Sequence, residues 1–358
     1  MTNTLPQGST IGILGGGQLG RMLSVAATRL GFKTHIFEPG SNPPAAHVAD
    51  TVTTAPYTDL DALVAFAKSV DVVTFEFENV PTDALDAIES IRPVLPNRTA
   101  LATSQDRIVE KDFLVSLGLK VAPYANVETS EDLSAAVKTV GVPSILKTRR
   151  FGYDGKGQSH LKAVDDATNA WGELGNTPSV LEGFIDFTHE VSVIGARSQS
   201  GEVVCFDPGE NVHRDGILHT TTLPANLKSP QRMDAVLLTG QILNALDYVG
   251  VMGVELFVTP NGLIVNEIAP RVHNSGHWTQ NGCVVDQFEQ HIRAVAGWSL
   301  GDGKRHSNVV MTNLIGDEVL DVEALSKDAS VGLHLYGKAE AKAGRKMGHI
   351  NKLTGPAV

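Results

Sequence analysis

The chain has 358 residues, of which 42% are hydrophobic and 19% are charged, and its net charge is −11. This length fits two or three lobes with cores of their own, and the acidic balance disfavours nonspecific binding to nucleic acid or to an anionic membrane. The polar amino terminus lacks a signal pattern, no run of about eighteen apolar residues occurs, and the two cysteines predict no disulfide framework, so we expect a cytoplasmic globular protein.

The first predicted unit is a glycine-rich loop between a strand and a helix. Residues 10–15 predict a strand, GGGQLG at 15–20 opens a helix, and Thr34 to Phe37 predict a second strand that ends at Glu38. This spacing satisfies the dinucleotide-binding fingerprint, including an acidic residue about twenty positions later. The same backbone N–H groups can hold any anion, so a ribose phosphate fits as well as NAD. An NAD-dependent oxidoreductase therefore stays open as an alternative.

A second strand of this predicted sheet ends in acidic residues. A helix over Asp59 to Lys68 precedes a strand from Val72 to Phe75, and the sequence then reads Glu-Phe-Glu-Asn. In a doubly wound sheet, the carboxyl ends of the strands face the ligand crevice. Glu76 and Asn79 are therefore candidate substrate contacts, with ordinary loop residues as the alternative. Residues 104–118 then predict a helix, capped by Ser104, that starts a second domain.

A small lobe is predicted over residues 121–200. It contains a strand, Ser144 to Thr148, that carries Lys147, followed by the loop RRFGYDGKGQ at 149–158. Three glycines supply many backbone donors and Lys156 adds a positive charge, which suits a mobile lid over a triphosphate. The alternative is a simple hairpin turn.

Two later strands of this region carry glutamates beside apolar residues. One ends in Glu182-Gly183-Phe184-Ile185 and the next contains Glu190. A strand edge beside an apolar side chain can take an adenine, and a carboxylate can take ribose hydroxyls. His213 and His219 then flank a predicted turn, either as structural residues or as ligands.

An antiparallel hairpin is predicted over residues 251–269, around the turn Pro260-Asn261-Gly262. A three-residue loop would pair Thr259 with Leu263, Phe257 with Val265, and Glu255 with Glu267. Facing carboxylates repel each other, so we expect a cation between them, and Mg²⁺ carrying the phosphates of a nucleoside triphosphate fits. The alternatives are a bulge that turns one glutamate outward, or neutralisation of a glutamate by Arg271.

Polar and basic residues follow the hairpin. His273, Asn274, Ser275, Gly276 and His277 are too dense for an ordinary connector and predict substrate binding. Residues 301–358 predict a small β-rich lobe with a basic cluster that either grips a substrate phosphate or forms a solvated patch. The cluster consists of Lys338, Lys342, Arg345, Lys346 and Lys352.

The motifs GILGGGQLGRM, FEFENVP, GYDGKGQ, NEIAPRVHNSGHWTQ and GRKMGH together span most of the chain. In this order they resemble the ATP-grasp superfamily and, within it, the N5-carboxyaminoimidazole ribonucleotide synthase family. The resemblance implies an α/β ATP-grasp fold with an N-terminal, doubly wound Rossmann-like domain at 1–105, an ATP-grasp domain at 106–300 and a small β-rich C-terminal domain at 301–358. It also implies a homodimer.

The implied activity is ATP-dependent carboxylation of 5-aminoimidazole ribonucleotide with bicarbonate, through carboxyphosphate, in purine biosynthesis. The resemblance places ATP on Arg107, Lys147, Gly152, Tyr153, Asp154, Gly155, Lys156, Gly157, Gln158, Glu182, Gly183, Phe184, Ile185, Glu190, His213, Asn266 and Glu267. It places Mg²⁺, for which Mn²⁺ can substitute, on Glu255 and Glu267.

The resemblance also implies where the other two substrates bind. Bicarbonate would lie near Arg271, His273 and Asn274, and the aminoimidazole ribonucleotide near Gln18, Glu76, Tyr153, Asp154, Arg345 and Lys346. The implied catalytic residues are Asp154, which would orient or deprotonate the amine, together with Arg271 and Lys346.

One position departs from the wider superfamily, in which a metal-binding asparagine often stands two residues after the second glutamate. Here that residue is Ala269, so two carboxylates must suffice unless Asn266 contributes. Rival functions are another ATP-grasp enzyme, such as a biotin carboxylase or a formate-dependent glycinamide ribonucleotide transformylase, the NAD-dependent oxidoreductase, and a noncatalytic nucleotide-binding regulator.

Overall fold

Three β-sheets organise the part of the chain that the computed structural model describes, residues 4–152 and 155–357. The α-helices are α1 (Gln18–Arg29), α2 (Leu60–Lys68), α3 (Thr82–Glu89), α4 (Arg98–Gln105), α5 (Arg107–Ser116), α6 (Ser130–Val140), α7 (Ala167–Glu173), α8 (Ser229–Ala245), α9 (Thr279–Gly282), α10 (Gln287–Val295) and α11 (Val322–Leu325). Short 3₁₀ segments lie at Pro44–His47, Val164–Asp166, Asn274–Gly276 and Gly316–Asp321.

The strands follow in chain order. They are β1 (Thr10–Leu14), β2 (Lys33–Phe37), β3 (Thr51–Thr53), β4 (Val72–Phe75), β5 (Tyr124–Val127), β6 (Ser144–Thr148), β7 (Gln158–Leu161), β8 (Ser179–Gly183), β9 (His189–Arg197), β10 (Val203–Cys205), β11 (Gly209–Arg214), β12 (Ile217–Leu223), β13 (Gly250–Thr259), β14 (Gly262–Ala269), β15 (Ser307–Ile315), β16 (Val331–Leu335) and β17 (Lys346–Pro356).

The N-terminal sheet is parallel, with the strand order β3-β2-β1-β4. The first helix packs on it through Leu19, Met22 and Leu23, which recur at helical spacing and are buried. Asp59 begins α2 as an N-cap, because its carboxylate accepts the Ala62 N–H at 3.0 Å. The predicted parallel α/β arrangement, with strand ends facing one crevice, is confirmed.

A small antiparallel sheet with the order β5-β8-β6-β7 forms the small lobe that was predicted over residues 121–200. Leu133, Val137, Leu146 and Trp171 form its separate core between the sheet and helices α6 and α7. The sheet ends at Gly183, and the next strand, β9, already belongs to the large sheet.

The large sheet has the order β14-β13-β9-β11-β12-β15-β17-β16, with β10 paired to β9. The predicted β-rich C-terminal lobe is present, but its strands extend this sheet through the pairing of β15 with β12. Each strand bonds to its neighbour, so the C-terminal segment and the central strands share one hydrogen-bonded frame.

The predicted cap at Ser104 is wrong. Ser104 lies inside α4, and the chain breaks helical geometry at Asp106, which has an extended backbone conformation. The Asp106 carboxylate accepts the Ile108 N–H at 3.0 Å and so begins α5 as its N-cap. Ser104 and Asp106 both belong to residue types that commonly begin helices, and the sequence alone does not show which of them is the N-cap.

The hairpin of β13 and β14 differs from the prediction in its turn but not at its glutamates. Thr259 pairs with Gly262, so the loop has two residues rather than three, and Phe257 therefore pairs with Ile264. A bulge at Asn266 then shifts the register by one residue. The two differences cancel, and Glu255 faces Glu267 as predicted.

No helix within residues 4–152 and 155–357 is long and apolar enough to cross a membrane. The domain limits at residues 105 and 300 stay a prediction.

Candidate active site

Adjacent strands of the large sheet present a row of polar side chains on one face. Ser192 of β9 pairs with Glu255 of β13, and Glu255 pairs with Glu267 of β14. The opposite face of the hairpin carries Val254, Leu256 and other apolar residues of the core. Alternation along the strands therefore buries the apolar side chains on one face and places the carboxylates on the other. We call Ser192, Glu255 and Glu267 the carboxylate row.

The two facing glutamates have different electrostatic environments. Burial and the nearby Glu267 charge raise the pKa of Glu255 to about 7. Burial also opposes ionisation of Glu267, but the Arg107 and Lys147 charges outweigh it and lower its pKa. Arg107 Nη1 lies 3.0 Å from Glu267 Oε2. The side chains of Glu255 and Glu267 are 16% and 39% exposed, so a ligand can reach both.

Lysines of two elements meet at Glu182 on the small sheet. Lys147 Nζ is 2.9 Å and Lys111 Nζ is 3.3 Å from Glu182 Oε2. Burial raises the pKa of Glu182, but the charges of these lysines outweigh burial and lower it. Glu182 Oε1 is buried without a hydrogen-bond partner among the described residues, so one acceptor remains for a ligand.

Arg271 does not neutralise Glu267, the role that the sequence left open for it. Its guanidinium pairs instead with both carboxylate oxygens of Glu78, at 3.1 Å for Nη2 and Oε1 and at a shorter separation for Nε and Oε2. This fork joins the N-terminal domain to the loop after the hairpin. Burial opposes ionisation of Glu78, yet the Arg271 charge lowers its pKa.

His213 and Glu190, both predicted to contact ATP, lie together at the far end of the row. His213 Nδ1 is 2.9 Å from Glu190 Oε2, and although burial lowers the pKa of His213, the hydrogen bond and charge of Glu190 raise it. Beside them, the rings of Phe187 and Phe257 stack with centroids 4.6 Å apart. Phe187 belongs to the linker that follows Glu182 to Ile185, so an apolar platform lies beside the predicted adenine edge.

The predicted bicarbonate residues separate into two environments. His273 Nε2 lies 3.4 Å from Glu255 Oε1, and burial together with the Arg271 charge lowers the pKa of His273 to about 3. Asn274 is 9% exposed, and both ends of its amide bond the Asn313 amide, at 2.9 and 2.8 Å. These contacts argue against a direct substrate contact by Asn274, which stays a prediction.

His277, grouped by sequence with the substrate residues, lies instead in a buried cluster with C-terminal side chains. Its ring is 4.7 Å from that of His349, which stacks on His334 at 4.5 Å. Tyr336 Oη is 2.9 Å from His349 Nδ1. Burial lowers the pKa values of all three histidines, and we call these four residues the histidine cluster.

The glycine loop before α1 holds carboxylates of the protein itself. Glu76 accepts the N–H groups of Gly17 and Gly20, and Glu38 accepts the Gly16 N–H at 2.8 Å. A Cβ on Gly15, whose φ is +101°, would lie 2.4 Å from Glu76 Cγ, so a larger residue cannot stand there. Glu38, the acidic residue of the dinucleotide-binding fingerprint, is thus used within the loop. Gln18 begins α1 next to these groups.

Two predicted residues of the lid loop, Tyr153 and Asp154, lie outside the described residues. The loop is anchored at its start by Arg149, whose guanidinium bonds the Asp106 carboxylate at 2.6 Å. Gly155, Lys156 and Gly157 form a turn that leads into β7 at Gln158, and the Thr148 N–H donates to Gly157 O at 2.8 Å. The start and the end of the loop are therefore held close together.

The basic tail reaches the site through Lys346. Burial and the Arg271 charge lower the pKa of His273, and the Lys346 charge adds to that effect. The pKa of Glu255 is raised by burial and by Glu267, and the Lys346 charge offsets a small part of that rise. Arg345 Nη1 donates to Glu340 O at 3.1 Å, and Lys352 pairs with Asp328 at 3.0 Å. Only part of the predicted basic cluster thus acts on the carboxylate row.

Sequence reasoning missed three charged residues that touch the predicted ones: Glu78, Glu110 and Lys111. Glu78 stands two residues after Glu76 in the same acidic motif, and that spacing was a usable signal. Glu110 and Lys111 are buried in α5, where Glu110 accepts the Ile268 N–H and its pKa is raised to about 8 by burial and by Glu267. Helix α5 is partly exposed, and nothing in the sequence indicates that its charged residues Glu110 and Lys111 are buried.

Known domain families match this chain in succession. The ribonucleotide synthetase preATP-grasp domain matches residues 8–105, the ATP-grasp domain matches residues 112–288, and the phosphoribosylaminoimidazole carboxylase C-terminal domain matches residues 309–355.

Similar proteins cover nearly the whole chain. An N5-carboxyaminoimidazole ribonucleotide synthase of Brucella melitensis biotype 1 is 52% identical over 353 residues, 98% of each chain. The crystal structure of an ADP complex of an N5-carboxyaminoimidazole ribonucleotide synthetase has a TM-score of 0.96 at 41% identity, covering 99% of this chain and 94% of that one. A synthase of Aspergillus clavatus, in complex with ADP and 5-aminoimidazole ribonucleotide, has a TM-score of 0.91 at 31% identity, covering 99% and 95%.

Proposed function

Because the chain belongs to the N5-carboxyaminoimidazole ribonucleotide synthase family of ATP-grasp ligases, we propose that its facing glutamates form the centre at which ATP and bicarbonate react. The enzyme carboxylates 5-aminoimidazole ribonucleotide to N5-carboxyaminoimidazole ribonucleotide in an ATP-dependent step of purine biosynthesis. The observation that carries the proposed centre is the register that sets Glu255 against Glu267 beside Arg107. An NAD-dependent oxidoreductase leaves this arrangement without a use.

The proposed chemistry starts from the weak electrophilicity of bicarbonate. An oxygen of bicarbonate attacks the γ-phosphorus of ATP, the bond to the bridging oxygen of ADP breaks, and carboxyphosphate forms. Carboxyphosphate releases phosphate and carbon dioxide, and the exocyclic amine bonds to that carbon and loses a proton. The protein's part is to hold the reactants together, stabilise their negative charge and exclude water. In the proposed site, the positive charges of Lys147, Arg107 and Arg271 stabilise the negative charge of the reactants.

The carboxylate pair fits a hard divalent cation. Two carboxylates face each other, and burial together with the Glu267 charge raises the pKa of Glu255, so a positive charge between them would relieve their repulsion. Glu255 and Glu267 would hold Mg²⁺, or Mn²⁺ in its place. The bound ion would neutralise charge on the phosphate oxygens of ATP.

The remaining substrate contacts are proposed from the family resemblance and from position. ATP would extend from Arg107 and Lys147 along Glu182 to Ile185, with the ribose near Glu190 and His213. The aminoimidazole ribonucleotide would lie near Gln18, Glu76, Arg345 and Lys346, where the two basic side chains suit a phosphate. Asp154 remains the proposed residue for the amine proton.

We also propose the domain limits 1–105, 106–300 and 301–358, a cytoplasmic location and a homodimer. The homodimer rests on the family resemblance alone. Sedimentation velocity of the purified chain tests it, and a single species of monomer mass would contradict it.

The proposed function is tested by measuring ADP release with ATP, Mg²⁺ and bicarbonate, with and without 5-aminoimidazole ribonucleotide. We expect release to depend on the nucleotide and to accompany an acid-labile carboxylated product. Release driven instead by biotin, or by glycinamide ribonucleotide with formate, would assign another substrate. The absence of release under all of these conditions would leave a nucleotide-binding protein.

A further inference from the structure

Two buried serines and a largely buried histidine form a chain of contacts that ends at the carboxylate row. Ser192 Oγ donates to Ser275 Oγ at 2.7 Å, and Ser275 Oγ lies 2.8 Å from His273 Nδ1. The two serines are 2% and 1% exposed, so water does not compete for these bonds. On the other side of the imidazole, His273 Nε2 faces Glu255 Oε1 at 3.4 Å.

The hydrogen atoms in this chain determine the tautomer of His273. A hydroxyl has one proton, so Ser275, which accepts from Ser192, has its own proton left for His273 Nδ1. The Ser275 backbone N–H also points at Nδ1, at 3.4 Å. A ring nitrogen that accepts two donors carries no hydrogen in the neutral imidazole, so the hydrogen is on Nε2.

The opposite arrangement conflicts with two contacts. If Nδ1 carried the hydrogen, it would face the Ser275 backbone N–H, and two donors would meet. At the same time, the Nε2 lone pair would face Glu255, and two acceptors would meet whenever that carboxylate is ionised. Reversing the serine hydroxyls therefore costs two favourable contacts in a buried site.

The backbone around His273 is fixed independently of the serines. Gln287 accepts the His273 N–H at 2.9 Å and donates to His273 O at 2.8 Å. The ring lies against Gly253 of β13, where a Cβ would come within 2.7 Å of His273 Cβ. The position of the residue is thus set by Gln287 and Gly253, whereas its protonation pattern is set by Ser275.

We propose that Ser275, supported by Ser192, is a positioning residue that keeps His273 as an Nε2–H donor to oxygen at the Glu255 end of the site. This inference rests on the proposed function for its substrate: during turnover the acceptor would be an oxygen of bicarbonate or of the carboxyl group formed from it. In this role Nε2 stabilises negative charge and does not remove a proton from the amine.

The tautomer is tested directly by NMR of protein labelled with ¹⁵N in the histidine rings, with His273→Gln used to assign the signals. We expect Nδ1 of His273 to have the chemical shift of a bare ring nitrogen and Nε2 that of a protonated one. In Ser275→Ala the two shifts should move toward each other as the other tautomer becomes populated. A wild-type protein with hydrogen on Nδ1 would overturn the proposal.

Kinetics test the consequence for turnover. In Ser275→Ala we expect the KM for bicarbonate to rise about tenfold, the size of effect expected from losing one buried hydrogen bond, with the KM for ATP changed less than twofold. Ser275→Thr keeps a hydroxyl and should restore most of the loss, and Ser192→Ala should have a smaller effect than Ser275→Ala.

Ser198→Ala is the matched control, since Ser198 is 3% exposed and bonds Ser200 Oγ at 2.8 Å away from the site. Equal changes in both KM values with no change in tautomer would make Ser275 merely structural and overturn the proposal. A wild-type enzyme without turnover of the aminoimidazole nucleotide would refute the proposed function instead, while the NMR result would still decide the tautomer.

Discussion

The segment from His273 to His277 contributes to two polar clusters that accommodate buried ionisable groups in opposite ways. In the carboxylate row, Glu267 stays charged because Arg107 and Lys147 offset its burial, and one side of the row remains open. In the histidine cluster, His277 and His349 have no exposed surface and stay neutral because burial lowers their pKa values. The first arrangement leaves charge available for a ligand, whereas the second uses polar side chains to join the C-terminal strands to the central domain.

The comparison predicts that changes in the carboxylate row remove activity and leave the fold. In Glu267→Gln we expect the rate of ADP release to fall by about 10²-fold to 10³-fold, because charge stabilisation at the phosphates is lost. Thermal unfolding should stay cooperative. Glu202→Gln, at an exposed position between β9 and β10, is the control. Turnover within threefold of the wild type would remove Glu267 from the proposed centre.

Changes in the histidine cluster should do the reverse. Tyr336→Phe removes the hydroxyl next to His349 Nδ1 and should lower the free energy of unfolding by about 1–3 kcal/mol, measured with urea. The kcat should change less than twofold. The partly buried Tyr57, with a longer 3.4 Å contact to Phe37 O, gives a matched Tyr→Phe control with a smaller expected loss. A large fall in kcat for Tyr336→Phe would place this cluster within the catalytic machinery.

The two clusters should also make the free energy of unfolding depend on pH in opposite directions. The pKa of Glu255 is raised to about 7, so its contribution is present below the ordinary value near 4.5 and is lost as pH rises through about 7. The pKa of His334 is lowered to about 4 by burial, so its contribution is present above 6.5 and is lost as pH falls through about 4.

The smallest expected effects are therefore changes in the slope of unfolding free energy against pH, each at most about 1.4 kcal/mol per pH unit. In ligand-free protein, Glu255→Gln should weaken the fall in unfolding free energy between about pH 4.5 and 7, to which Glu110 also contributes. His334→Phe should weaken the fall between pH 6.5 and about 4. Urea unfolding at several pH values measures both. If both substitutions changed the slope of the wild-type protein in the same direction, the clusters would not differ as described.

Much of the fold could be predicted from local patterns, because strands, helices and their caps depend on spacing within a few residues. The strands from Val72 to Phe75 and from Ser144 to Thr148 have the predicted bounds. The pairing of Glu255 with Glu267 was predicted correctly through a wrong turn, because the bulge at Asn266 offset the error. No sequence rule used for the hairpin indicates a bulge at that residue.

The contacts that sequence could not give are those between distant segments. Glu78 meets Arg271 across 193 positions, and Asn274 meets Asn313 across 39. Periodicity reports which face a residue occupies, but not which other element covers that face. For that reason His277 was grouped with its neighbour His273, although packing places the two in different clusters.

The bulge at Asn266 has a consequence for insertions and deletions. Val265 pairs with Leu256 and Glu267 with Glu255, so Asn266 is a surplus residue between two ladders that are already in phase. A chain lacking Asn266 could close into an uninterrupted hairpin with every inward and outward side chain unchanged. A one-residue deletion between the turn and Asn266 would instead exchange the two faces of the strand from the deletion to the bulge. Deletion of the Asn266 codon is therefore a change in this hairpin that the fold can tolerate. The residue lost would be one that the family resemblance places in contact with ATP.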